Sequence, residues 1–136
     1  MLAVTFNITT DSSGDYDSTA DDTTVTGQPR AVLPARLYAV EWVDGDLADG
    51  VDATLSVINT PSGVDYTLLT LTDANSDAWY YPRHNAHTNA GAAIVDGTDL
   101  TGERVKPLVS GQLKVVVASG GDTKSGKLIA YLCAED

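Results

Sequence analysis

A chain of 136 residues with 19 acidic and eight basic side chains, a formal charge of −11, is a single domain by size and a poor partner for nucleic acid. A surface of that sign repels phosphate backbones, which excludes binding through a general basic field, and its plain consequence is solubility. No apolar run approaches the roughly 18 residues of a membrane span, and the opening MLAVTFNITTDSSG lacks the positive start and apolar length of a signal peptide.

Hydrophobic residues make up 43%, enough for one modest core. Glu occurs only at Glu41, Glu103 and Glu135, whereas Thr, Val, Gly and Asp abound. Val and Thr favour strands, with Gly and Asp in the turns between them. The composition predicts an all-β chain. Cys133 is the single cysteine, so no intrachain disulfide can form; this suits a reducing compartment or a fold that needs no staple.

Taken in order, Leu2 to Ile8 alternates as a strand, with Leu2, Val4 and Phe6 on one side. Residues 11–22 form an Asp-rich stretch expected to be a solvated loop, with Tyr16 as its anchor. Thr23 to Thr26 is short and strand-like, and Pro29 and Pro34 bracket an extended segment. Leu37 to Val43 follows, with Tyr38, Val40 and Trp42 expected on one face. After the loop Asp44 to Gly50, Val51 to Ile58 points Ala53, Leu55 and Val57 inward. Pro61-Ser62-Gly63 turns the chain into Tyr66 to Thr72, which is expected to send Leu69 and Leu71 to the core.

The stretch Tyr66 to Arg83, YTLLTLTDANSDAWYYPR, is the most informative one. Alternation ends at the turn residues Asp73, Asn75, Ser76 and Asp77, and a second, aromatic strand follows through Trp79, Tyr80 and Tyr81. Residues 83–102 read as a long loop with a short strand at Ala92 to Val95; loops beyond about 12 residues tend to be functional or to lie on a partner. Arg104 to Leu108 has an edge-strand pattern, since Pro107 cannot donate to a ladder. Gln112 to Ala118 and Lys127 to Cys133 flank GGDTKSG and are expected to form a hairpin. The architecture predicted is an antiparallel β-sandwich or barrel-like domain of about eight to ten short strands with long loops, one domain over residues 1–136.

Each motif with catalytic or metal-binding overtones is incomplete. Asp73-x-Asn75-x-Asp77 copies the first ligands of a calcium loop, but Ala78 replaces the required glycine and His84 the bidentate glutamate. Asp44, Asp46, Asp49 and Asp52 cluster without regular spacing. His84 and His87 form an H-x-x-H pair that would need Asp77 or Asp96 to extend a zinc set. GGDTKSG lacks the phosphate-loop spacing, and no nucleophile elbow marks a Ser–His–Asp triad. No metal or cofactor is expected and the chain is not expected to be an enzyme. One cluster has interface character: Trp79, Tyr80, Tyr81 and Arg83, with His84 and His87 beside it, because aromatics and arginine are over-represented at binding hot spots. Alternation buries Tyr80 and exposes Trp79 and Tyr81, or the reverse.

The blocks LTLTDANSDAWYYPR, HTNAGAA and PLVSGQLKVVVASGG, with the G-x-x-x-x-YL ending at Leu132, resemble small virion structural proteins of tailed bacteriophages, and best the head decoration (cement) type. The resemblance covers about Val51 to Leu132 and does not extend to the Asp-rich segment before Gln28. It implies a β-rich fold, made in the host cytoplasm, that docks on the outer capsid surface and locks neighbouring major capsid subunits together. It also implies a homo-oligomer, a trimer by preference, and brings no catalytic residues. The alternative is a virion-surface module that binds carbohydrate or host through the aromatic residues.

Overall fold

The computed structural model describes residues 2–19, 35–85, 87, 89–91 and 104–133. Over these the chain is all-β, and every strand pairing is antiparallel. Eleven strands occur: β1 (Leu2–Thr9), β2 (Tyr16–Asp17), β3 (Ala35–Val43), β4 (Asp52–Ile58), β5 (Tyr66–Leu71), β6 (Ala78–Tyr80), β7 (His84–Asn85), β8 (Arg104–Val105), β9 (Leu108–Val109), β10 (Gln112–Ala118) and β11 (Ser125–Cys133). The first sheet has the order β1-β11-β3-β6, with β9 beside β6 on the same flank of β3. The second runs β2-β10-β4-β5, and β7 pairs with β8 apart from both. The strands expected at Thr23 to Thr26 and Ala92 to Val95 lie outside the described residues.

The two larger sheets share one core, built by the period of two that the sequence carries. Val4, Phe6 and Ile8 of β1, Leu128, Ala130 and Leu132 of β11, and Leu37, Val40 and Trp42 of β3 come from the first sheet. Ala53, Leu55 and Val57 of β4 and Leu113, Val115 and Val117 of β10 come from the second. Each fully buried branched or aromatic side chain contributes about 1.5–3 kcal/mol in transfer terms, which makes this alternation the main source of stability. Tyr16 is buried as the expected anchor, but Thr10 and Ser18 are buried with it. The Asp-rich stretch is therefore not solvated throughout: Tyr16 and Asp17 pair with Val117 and Val116.

Two bulges change which residues face in. Tyr131 pairs with Ala39 and Leu132 with Leu37, so Tyr38 is the extra residue and turns outward, away from Val40 and Trp42. In β5 the partners of Leu55 and Ser56 are Leu69 and Thr67, so Leu68 is extra. Leu71 stays in the core, while Leu69 is only half-buried instead of fully buried as its alternation predicts. Bulges are invisible to a strict period of two, because one inserted residue resets the faces.

Connections differ as well. The β4–β5 hairpin forms as expected, closed by Gly63 N–H to the Thr60 carbonyl at 3.0 Å. The expected β10–β11 hairpin does not: β10 lies in the second sheet and β11 in the first. Residues 119–124 arch between sheets and bond to other loops, with Gly120 N–H on the Gly14 carbonyl and Ala48 N–H on the Gly120 carbonyl, both at 2.9 Å. A hairpin would hold both strands in one sheet, whereas an arch turns their two apolar faces towards each other. Residues 72–77 make a second arch, carrying the chain from β5 to β6. The edge pattern at Arg104 to Leu108 resolves into β8 and β9 on either side of Lys106 and Pro107.

Candidate functional site: an aromatic and cationic face

The outer face of the first sheet carries the aromatic residues. In β6, Trp79 pairs with Glu41 and Tyr80 with Val40. Tyr80 packs half-buried against the core, leaving Trp79 and Tyr81 at 51% and 58% exposure, so the first of the two alternations holds. Trp79 stacks on Tyr131 of β11 with centroids 5.4 Å apart and planes inclined by 23°. These two side chains come from the strands flanking β3 and meet across it. Ala39, the partner of Tyr131, is only 1% exposed yet lies outside the core cluster, which places it beneath this aromatic layer.

Tyr131 is oriented by its hydroxyl, which donates to Glu41 Oε1 at 3.0 Å. Its pKa lies above the usual phenol value, first through burial and then through the bond to, and the charge of, Glu41. Tyr38, turned out by its bulge, meets Tyr81 edge-on at 6.4 Å. Arg83 Cζ lies 5.7 Å and Lys106 Nζ 5.9 Å from the Tyr38 ring centre, both within cation–π range. Arg83 is held by Nη1, which donates to the carbonyls of Tyr38 at 3.0 Å and Pro82 at 2.7 Å. Arg36 Nη1 donates to the Lys106 carbonyl at 3.0 Å, bringing another cation to the same end of β3.

His84 and His87 stand apart from this layer. His84 is exposed on β7, pairs with Val105, and has Nδ1 3.0 Å from the Asn85 carbonyl. The His87 ring lies 6.4 Å from that of His84. Among the described residues no group of three or more His, Cys, Asp or Glu is placed to hold a metal ion, and Asp96 lies outside them. No helix among the described residues is long and apolar enough to cross a membrane.

The acidic motifs gather at the opposite end of β3, where they cap backbone. Asn75 Oδ1 accepts Gly50 N–H at 2.7 Å, Asp77 Oδ1 accepts Asp44 N–H at 2.8 Å, and Asp52 Oδ1 accepts Asp73 N–H at 3.0 Å. Asp46 Oδ1 accepts Ser125 N–H at 2.6 Å, which draws GGDTKSG into the same cluster. The calcium-like spacing is thus a set of turn caps. Asp44 Oδ1 is buried with no hydrogen-bond partner among the described residues, and its carboxyl is pushed above the usual range by burial and then by Asp77, Asp49 and Asp46.

The sequence marks Trp79, Tyr80, Tyr81 and Arg83 but not Tyr38, Glu41, Lys106 or Tyr131. Tyr38, Glu41 and Tyr131 join the site through strand register and one bulge, Lys106 through the segment between β8 and β9, and only the outward period of β11 hints at Tyr131. Comparison with protein-family models, with curated proteins and with solved structures finds no match to this chain.

Proposed function

We propose that the chain is a non-enzymatic binding module of the phage decoration type, docking on the outer head surface through the outer face of its first sheet and bridging major capsid subunits. The observation that carries this reading is the ordered aromatic layer of Trp79, Tyr131, Tyr38 and Tyr81, edged by Arg83 and Lys106. Stacked aromatics next to arginine are the composition of a binding hot spot, and fixing their rotamers in advance lowers the entropy lost on docking. The sequence resemblance supplies the partner: a major capsid protein, met by a homo-oligomer, a trimer by preference. A ligand that binds only the assembled shell stabilises it by mass action.

Attachment to empty heads tests this reading. Trp79→Ala and Tyr81→Ala should each weaken it by more than about 1 kcal/mol, roughly fivefold in affinity, with the fold intact by circular dichroism. Unchanged occupancy for both variants would refute the docking face. A second reading, a carbohydrate- or host-binding module, draws on the same Trp79 platform with Glu41, its partner across the strands, as a nearby polar group. Binding of a glycan, lost in Trp79→Ala while head attachment is unaffected, would favour it.

A further inference from the structure

A groove of about 350 Å³ lies beside this face, between β5 and the segments around Pro82 and Pro107. Its size is at the low end for ligand pockets, typically about 300–1,000 Å³. Leu68, Pro82, Pro107 and Leu108 give it apolar walls, and Arg83 is its principal charge. The walls are fixed in advance: the Tyr66 hydroxyl donates to the Leu108 carbonyl at 2.7 Å and accepts Ser110 N–H at 3.1 Å, tying β5 to β9.

Arg83 is held but not saturated. Both of its described bonds come from Nη1 and end on neutral carbonyls, and no described carboxylate pairs with it. A guanidinium carries five donors in a planar fork that matches a carboxylate, so Nε and Nη2 remain for a ligand. Arg36 and Lys106 stand on the same side of the fold and reinforce the sign. The wall residues Thr67 and Leu68 belong to β5, which ends the second sheet and has no strand partner on its outer flank among the described residues. An open sheet edge of this kind accepts extended chain, and the bulge at Leu68 limits the added pairing to a few residues.

We infer that this groove takes a short extended segment of a partner protein in which a carboxylate side chain sits between apolar ones, the carboxylate meeting Arg83 and the apolar flanks meeting Leu68, Pro82 and Leu108. This deepens the proposed docking reading by giving the chemistry of the partner segment. The groove lies to one side of Trp79, so the two can fail separately.

The test is a ¹⁵N–¹H correlation titration of the full chain with the capped pentapeptide acetyl-Thr-Leu-Glu-Leu-Thr-amide. Shifts are expected at Thr67 and Leu68, Arg83 and His84, and Leu108 to Ser110. The Gln version of the peptide should bind at least about tenfold more weakly, a difference of about 1.4 kcal/mol. Arg83→Gln should abolish that preference with the spectrum otherwise preserved, whereas Trp79→Ala should leave peptide binding unchanged while weakening head attachment. No shift at these residues up to about 5 mM peptide, equal binding of the Glu and Gln peptides, or an undiminished preference in Arg83→Gln would overturn the inference. Competition by free 3-phenylpropionate as strong as the peptide itself would also overturn it, by making the groove a site for small acids. If peptide binding persists while head attachment ignores both Trp79→Ala and Arg83→Gln, the groove stands and the capsid reading falls.

Discussion

The indole N–H of Trp42 donates to the carbonyl of Ala74 at 3.0 Å in the buried interior, joining the central β3 to the arch that carries the chain between sheets. The same arch residue returns a bond, with Ala74 N–H on the Val51 carbonyl at 2.8 Å. Trp42 is the largest fully buried side chain and its one polar atom is satisfied by the backbone it packs against. Trp42→Phe keeps most of the apolar volume but strands the Ala74 carbonyl, so it should cost about 1–3 kcal/mol in chemical denaturation. A loss well under this range would mean that the arch finds another donor.

Asp44 should be worth more to stability as a neutral group than as an anion. Its folded-state pKa is raised, so the folded chain holds that proton more tightly than the unfolded chain does. The destabilisation is full above the folded pKa and is relieved as pH falls through it towards the ordinary value of 3.8. Asp44→Asn should therefore raise the melting temperature at pH 7, with the gain vanishing as pH falls towards 3.8. Asp17 has the opposite sign. Burial raises its pKa, but the Thr19 hydroxyl and N–H together with Lys114 outweigh that and hold it below 3.8. Its contribution is present above 3.8 and lost as pH falls through the folded pKa. The Lys114 pair is long at 3.5 Å and well solvated, so that contribution is small.

Chelation should leave the melting temperature unchanged. The carboxyl and amide oxygens of Asp46, Asp52, Asn75 and Asp77 each hold a backbone N–H already, so the loops do not depend on a cation for closure. A fall of several degrees with EDTA, restored by one specific cation, would contradict this.

Tyr66→Phe should loosen the groove without unfolding the domain. The hydroxyl serves the Leu108 carbonyl and the Ser110 N–H together, so its loss should cost about 0.5–1.5 kcal/mol and speed amide exchange at Ser110. Exchange unchanged at that amide would show that β9 is held by β3 alone.

Truncations along β4 and β5 measure what alternation alone can tell. Leu55→Ala should cost about 2–5 kcal/mol, the range for a fully buried leucine, and Leu69→Ala distinctly less because the bulge leaves it half-buried. Strands and their inward residues are legible where the period of two runs unbroken, as in Val4 and Phe6 and in Ala53-Leu55-Val57, although Leu2, on the same side of β1, is exposed at the strand's end. Tyr38 and Leu69 were misplaced because a bulge depends on the neighbouring strand, not on the strand's own pattern. The arch between β10 and β11 was misread for a related reason: GGDTKSG suits a tight turn in either geometry, and its choice is made by Thr10, Gly14 and Ala48 far away in sequence. For the candidate site, Trp79, Tyr81 and Arg83 could be read directly, while Tyr131 and Glu41 needed the register across β3.

The place of β11 has a consequence for synthesis. Leu2 meets Leu132 and Thr9 meets Ser125, so β1 has as its only described partner a strand more than a hundred residues further along the chain. On the ribosome β1 must wait for its partner, with Val4, Phe6 and Ile8 uncovered, until β11 has emerged. The second sheet's β4–β5 hairpin can form early, but the first sheet closes only after translation has passed Cys133. Such long-range pairing folds in milliseconds to seconds, not microseconds. A chain cut before β11 would keep β1 and one flank of β3 as open apolar edges, the form in which unfinished β-proteins find each other and aggregate.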